Sequence, residues 1–292
     1  MGVGLIILCL PCLVTFVSAF QKIDVSKTLD RECYGTSVGF GFSGGPEFHY
    51  DALRRRYKDC TYVLGNLEIT NLDSENITYD LSFLSSIEVV TGYVLLGLLD
   101  TETIPLLNLK LIRADNTYSI MGKKYGLLVA LTASPEQSDP AVGLQELQLP
   151  SLREISHGRV IFIQNPLLKY VDTIEWDTIV LEKDNPVEFF AYSYFEGGSN
   201  CSEACKVDGV SRCWGHADNM CQKVYTKKCH ATCPGRCYND DILGCCHPEC
   251  ANGCWGPSEN DCEMCKYFRH GIRCVSTCPE RTYAVGRYCE PY

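Results

Sequence analysis

The chain has 292 residues, with 36 acidic against 26 basic side chains and a formal net charge of −10. That balance argues against a nucleic-acid binder, since such binding depends on neutralising phosphates with Lys and Arg. The length allows about two domains, and 20 cysteines point to an oxidising compartment.

At the N-terminus, Leu5 to Val17 form an apolar run, and Val17-Ser18-Ala19 supplies small residues suited to cleavage before Phe20. A signal peptide over 1–19 is expected. A membrane anchor is the alternative, although the run is barely as long as the roughly 20 residues a comfortable span needs. Cleavage would remove Cys9 and Cys12 and leave an even number of cysteines, all able to pair. No second apolar run is long enough to cross a bilayer, so the mature chain is expected to be soluble and secreted.

Gly39-Phe40-Gly41-Phe42-Ser43-Gly44 matches the glycine spacing of nucleotide sites but lacks the strand before it and the lysine or acidic partner such a site needs. It reads instead as a flexible loop carrying two exposed aromatics. A helix is predicted from Pro46, with Phe48, Leu53 and Tyr57 on one face and Arg54-Arg55-Arg56 on its wet side. Cys33 and Cys60 bracket this segment. A bridge between them would close an N-terminal cap and contribute roughly 3 kcal/mol in the chain-entropy model.

Leu84-x-x-Ile87, Leu109-x-x-Ile112 and Leu152-x-x-Ile155 then repeat, each near a β-rich run: Val94-Leu95-Leu96, Leu127 to Leu131, and Val160 to Ile163. The first two copies lie at the spacing of solenoid coils, and the third is offset by an insertion containing the polar loop Ser134 to Pro140. Each coil can bury its Leu and Ile only against the next, which predicts a mainly β, right-handed β-helix or solenoid-like domain. An ordinary β-sandwich is the alternative on the repeat alone. Asn76-Ile77-Thr78 is a glycosylation sequon, and Asn200-Cys201-Ser202 a weaker one.

Composition changes near Gly197-Gly198, which divides the chain into 20–197 and 198–292. Beyond it, Cys229, Cys233, Cys237 and Cys245 read C-x3-C-x3-C-x7-C, and Cys246, Cys250, Cys254 and Cys262 repeat that spacing at once. A looser set precedes them (Cys201, Cys205, Cys213, Cys221) and a variant follows (Cys265, Cys274, Cys278, Cys289). Units this short hold too few apolar side chains for a core, so a rod of disulfide modules is expected. Zinc is the competing reading, but only Cys262 and Cys265 have knuckle spacing and the histidines do not pair suitably. No catalytic constellation emerges, so no enzyme activity and no cofactor or metal is expected.

These residues resemble the extracellular region of the epidermal growth factor receptor family. Cys60 to Thr70, Tyr79 to Leu84, Gly92 to Leu95, Ile104 to Leu109, Leu152 to Gly158 and Ile174-Glu175-Trp176 look like its first receptor L domain. Cys213-Trp214-Gly215, Cys245-Cys246-His247 and Cys262-x-x-Cys265-Lys266-x-Phe268-Arg269 match its furin-like cysteine-rich region. The resemblance implies the pairs Cys201–Cys213, Cys205–Cys221, Cys229–Cys237, Cys233–Cys245, Cys246–Cys254, Cys250–Cys262, Cys265–Cys274 and Cys278–Cys289. Spacing alone leaves three pairings open in each four-cysteine module.

The resemblance also implies an EGF-like growth factor as partner, bound on one sheet face and its N-terminal edge. By position the contacts would be Phe40, Phe42, Asn71, Leu98 and Leu131. Strand alternation alone would rather place Leu98 and Leu131 in the core. Three departures matter. Lys169 stands where the family has half of a bridge across the domain junction, which predicts a looser junction. A full-length receptor is a second partner the resemblance implies, but the loop from Cys278 to Cys289 is short where the family has a dimerisation arm, which puts arm-mediated pairing in doubt. The sequence ends at Tyr292, and two expectations follow: a secreted decoy or regulator, or a fragment of a transmembrane receptor tyrosine kinase. An adhesion solenoid, or a binder of an insulin-like ligand, is a further alternative.

Overall fold

A computed structural model describes residues 30–74, 76–133, 143–190 and 200–292. The expected signal peptide, the polar loop 134–140 and the boundary at 197/198 lie outside the described residues. The described chain is mainly β, with one α-helix, a few short 3₁₀ turns and many disulfides. The strands preceding the cysteine-rich region are β1 (Glu32–Tyr34), β2 (Tyr62–Leu64), β3 (Leu67–Leu72), β4 (Val89–Val90), β5 (Val94–Leu99), β6 (Thr103–Pro105) and β7 (Leu111–Ile112). They continue with β8 (Tyr118–Ile120), β9 (Lys123–Ala130), β10 (Glu146–Gln148), β11 (Glu154–Ile155), β12 (Arg159–Ile163) and β13 (Val187–Phe190).

Two parallel sheets organise this part. The smaller runs β1-β2-β4-β7-β11 and the larger β13-β12-β9-β5-β3, with β8 folded back antiparallel on β9. In the larger sheet Leu67, Val94, Leu127, Val160 and Val187 share one register row. Parallel pairing throughout both main ladders is not the antiparallel pairing of an ordinary sandwich. Between the sheets lies the main core. It takes Leu67, Ile69, Val94, Leu96, Leu127, Val129, Val160 and Phe162 from one side, and Val63, Val90, Ile112 and Ile155 from the other. All three Leu-x-x-Ile pairs are fully buried in it, so the repeat is a packing repeat.

Helix α1 spans Pro46–Tyr57 with proline in its first turn, and the Cys33–Cys60 bridge ties β1 to the segment just after it. Leu53 and Tyr57 are buried, but Phe48, expected beside them, is 67% exposed. At about 100° per residue, Phe48 falls off their line and Tyr50 takes the place three residues before Leu53, packing against the core. Burial pushes the Tyr57 phenol up to about 12. Arg54, Arg55 and Arg56 face solvent.

The C-terminal part is a succession of short ladders: β14 (Lys206–Val207), β15 (Val210–Ser211), β16 (Cys250–Cys254), β17 (Cys262–Cys265), β18 (Phe268–His270), β19 (Arg273–Val275), β20 (Thr282–Val285) and β21 (Tyr288–Pro291). Disulfides join Cys201–Cys213, Cys205–Cys221, Cys229–Cys237, Cys233–Cys245, Cys246–Cys254, Cys250–Cys262, Cys265–Cys274 and Cys278–Cys289. Apart from cysteine, only Trp214, Met220 and Ala251 are buried hydrophobics among the described residues of this part.

The two parts meet at several places along the chain. Trp214 stands edge-on to Trp176 with ring centroids 5.5 Å apart, and Gln222 bonds the backbone at Glu175 in both directions. The outer face of the small sheet, through Tyr62, Val89 and Leu111, packs on Ala251. The Arg113 guanidinium lies 4.6 Å over the Tyr267 ring. At the far end, the turn between β20 and β21 reaches back to the N-terminal strand: Arg287 pairs with Asp30 at 3.1 Å and Glu88 at 2.6 Å, and the Gly286 N–H donates to Glu32. Side-chain contacts from both parts thus meet across this junction.

Two carboxylates at this contact titrate below their ordinary range. Burial would raise Glu88 and Glu146, but hydrogen bonds from Lys110 and Arg287 to Glu88, and from His216 and Gln148 to Glu146, outweigh it. A depressed folded-state pKa contributes stability that is present above the unfolded value, about 4.3 for Glu, and is lost as pH falls through the folded one. The junction should therefore hold at neutral pH and loosen below about pH 4. Tryptophan fluorescence followed against pH checks this; an emission unchanged down to about pH 2 contradicts it.

Candidate functional site

The outer faces of the two sheets differ in what covers them. The small sheet's is occupied by the cysteine-rich part. The large sheet's is apolar too, a second cluster of Tyr93, Leu95, Tyr125, Leu128, Ala130 and Ile161, joined by Phe40, Tyr118, Ile120 and Ile163. Strand alternation sends Val94 and Leu96 inward and Leu95 outward, so runs such as Val94-Leu95-Leu96 and Leu127-Leu128-Val129 supply both faces at once. A half-wet strand would alternate apolar with polar, and the continuous run is the signal that this face too is dry.

The loop bearing Phe40 and Phe42 borders this face and is fixed in place. Glu68, 2% exposed on the outward side of β3, accepts hydrogen bonds from the Val38 N–H at 2.7 Å, the Gly39 N–H at 3.2 Å and the Tyr93 hydroxyl at 2.6 Å. Burial, then that carboxylate, hold the Tyr93 phenol well above its ordinary pKa. The Thr70 hydroxyl donates to the Gly39 carbonyl at 2.9 Å and the Asn71 amide to the Phe40 carbonyl at 3.4 Å.

Phe40 and Phe42, expected as exposed aromatics in a flexible loop, are therefore half-buried in an anchored one. Phe40 lies on the sheet over Gly97, where a Cβ would come within 2.5 Å of the ring. Phe42 stacks on His49 at 3.8 Å.

Asn71, Leu98 and Leu131 fall in one column at the C-terminal ends of β3, β5 and β9. Their φ values are 57°, 52° and 57°, and Gln164 continues the column at 51°. Such left-handed conformations cost roughly 1–2 kcal/mol each outside glycine. The ladder offsets this by pairing the bent backbone, Leu98 N–H to the Leu131 carbonyl at 3.1 Å and Leu131 N–H to that of Ile163 at 2.9 Å. The bend also breaks side-chain alternation. Leu98 and Leu131, which alternation would place in the core, stand outside it, half-buried and 37% exposed.

The five candidates are thus brought to one rim. The loop pair borders the N-terminal edge of the sheet, and the column marks one end of its strands. Tyr93, Leu95, Leu128 and Ile161, which form the face itself, are not among the residues the sequence singled out. Asn76 and Asn200 are exposed. Among the described residues no group of three or more His, Cys, Asp or Glu could hold a metal, and no helix is long and apolar enough to cross a membrane.

Comparison with known proteins bears on what such a face serves. A family model described as the receptor L domain matches residues 59–180, and one described as the furin-like cysteine rich region matches 194–291, leaving only 181–193 between them. Neither region is catalytic. The chain is 34% identical over 250 residues to the epidermal growth factor receptor of Drosophila melanogaster, covering 85% of this chain and 16% of that protein. It is 40% identical over 248 residues to the receptor tyrosine-protein kinase erbB-4 of Homo sapiens (85% and 18%), and 35% identical over 257 residues to erbB-2 of Rattus norvegicus (85% and 20%). The chain thus spans a fifth or less of the length of these relatives. It belongs to the epidermal growth factor receptor family, of whose extracellular region it carries a receptor L domain followed by a furin-like cysteine-rich region.

Proposed function

We propose that the outer face of the large sheet binds an EGF-like polypeptide growth factor, with Phe40, Phe42, Asn71, Leu98 and Leu131 at its rim. The observation that carries this is the contrast between faces. Both sheets have apolar outer surfaces; the cysteine-rich part covers one, while among the described residues the anchored loop and β8 cover the other, burying its centre and leaving its rim partly open. The apolar side chains left partly exposed are those of the rim, Phe40, Phe42, Leu98 and Leu131, and apolar groups gathered at one edge in this way support an interaction site. The stacked strands, alternating between the two sheets along the chain, support a right-handed β-helical winding that gives this face its breadth. The proposed division is a signal peptide over 1–19, the L domain over 20–197 and the cysteine-rich region over 198–292, with glycans on Asn76 and Asn200.

A site confined to one L domain holds its ligand from one side. Losing a tethered second site forfeits an effective-concentration gain of about 10²–10⁴, so growth-factor binding by this chain is expected to be about micromolar. It would then act outside the cell as a decoy or regulator. Titration of the purified chain with an EGF-like growth factor by calorimetry tests this: nanomolar affinity refutes the one-sided grip, and no binding at millimolar concentration refutes the binding role. The alternative, a portion of a transmembrane receptor kinase, is favoured by the share of the relatives that the chain spans. In either case the hairpin β20–β21, turned back onto Asp30 and Glu88 through Arg287, supports a receptor pairing that does not use this loop as an arm.

A further inference from the structure

A cleft of about 390 Å³ opens where the L domain, at Lys110 and Arg153, meets the cysteine-rich part at Lys223, Glu263, Arg269 and Arg287. In a chain of net charge −10 this lining carries five cations and one carboxylate. Lys110 and Arg287 share the Glu88 carboxylate at its edge. The other three cations have no carboxylate partner among the described residues, and the Arg269 side chain bonds only the Gly271 carbonyl at 3.2 Å. The Arg153 charge is moreover felt by a like charge, the Arg236 guanidinium, which also donates to the Arg153 carbonyl at 2.7 Å. Cations gathered without counterions concentrate positive potential in a concave site. Ser151 and Asn252 add neutral polar groups to the wall.

We propose that this cleft binds a multiply sulfated saccharide. The volume suits a small ligand of one or two sugar rings. Three cations spread around the cleft ask for an anion with several separated charges, and the neutral polar groups suit hydroxyls. Sulfated sugars are the abundant anions of that form outside cells, and this clause alone rests on the extracellular reading. A second cleft, containing Lys123, Lys124, Arg159 and Lys183, serves as a comparison. There Glu188 neutralises Lys123 and Arg159, and Glu182 and Asp184 line the same walls.

The test is calorimetric titration of the intact chain with a heparin-derived disaccharide, its desulfated counterpart and inorganic sulfate. Salt-sensitive binding of the sulfated disaccharide alone is expected. Lys223→Ala with Arg269→Ala should weaken it about tenfold for each cation removed. Lys124→Ala with Lys183→Ala, equal in charge, should leave it unchanged, and Lys223→Arg should retain it. Lys223 and Arg269 are exposed, so their removal leaves the packing intact, which near-ultraviolet circular dichroism verifies. The proposal is overturned by no binding at low salt, by equal affinity for the desulfated sugar or for free sulfate, or by equal losses in the two double variants.

Discussion

Replacing Glu154 by alanine should cost about 3–5 kcal/mol and weaken the hold of the cysteine-rich part on the L domain. Glu154 lies on β11, beside Leu111 on the outer face of the small sheet, and is 1% exposed. One oxygen accepts from the Ser156 hydroxyl at 2.9 Å. The other accepts the Asn252 N–H at 2.7 Å and faces the Arg236 guanidinium at 3.7 Å, longer than a hydrogen bond. Burial lowers the Arg236 pKa while the Glu154 charge opposes it. Without Glu154 the guanidinium keeps, among the described residues, the Arg153 carbonyl and the Tyr225 ring, 4.4 Å below it, and the Asn252 N–H loses its acceptor. Truncating one member of a buried pair leaves the other charge uncompensated, which is why the single change costs more than the pair contributes. Glu154→Gln should cost less, because the amide oxygen can still accept from Asn252. Glu154→Leu combined with Arg236→Met should recover much of the loss. Urea denaturation measures all three; an alanine variant within about 0.5 kcal/mol of the parent would show that the charge pair does not hold the junction.

Much of this architecture is legible in the residues themselves. The Leu-x-x-Ile spacing marks positions that become fully buried, and the cysteine rhythm marks a part of the chain with hardly any other core. Polar residues at the junction are less legible, because their partners are distant: Glu154 and Asn252 are 98 residues apart, and neither carries a local pattern. The left-handed column is also hidden. Asn71 tolerates such a φ, but nothing in Leu98 or Leu131 announces one; the ladder hydrogen bonds impose it on leucines that alternation would send inward. The anchored loop did leave a trace in Leu67-Glu68-Ile69, a lone carboxylate within an apolar strand. Such a group is buried only where donors converge on it, and here they are the backbone of the Phe40 loop and the Tyr93 hydroxyl.

Two kinds of core in one chain should separate under reduction. In the cysteine-rich part the eight bridges close short loops, with sequence separations from 8 to 16. Each contributes about 3 kcal/mol in the chain-entropy model, while Trp214, Met220 and Ala251 are the only other buried hydrophobics described there. The L domain depends on one bridge, Cys33–Cys60, and on a core of Leu, Ile, Val and Phe side chains, each contributing about 1.5–3 kcal/mol when fully buried. A reductant strong enough to open all nine bridges should therefore unfold 200–292 while β3, β5, β9 and β12 persist. The Cys33–Cys60 bridge is the L domain's own loss, about 3 kcal/mol, and its effect should concentrate on β1 and the helix cap. Hydrogen exchange read by mass spectrometry, with and without reductant, distinguishes the two parts. Protection across 200–292 that survives full reduction would mean that a core other than sulfur holds that part together. Simultaneous loss of protection in β5 and β9 would mean that the L domain depends on its neighbour for folding, so that the Trp176–Trp214 contact is part of one cooperative unit.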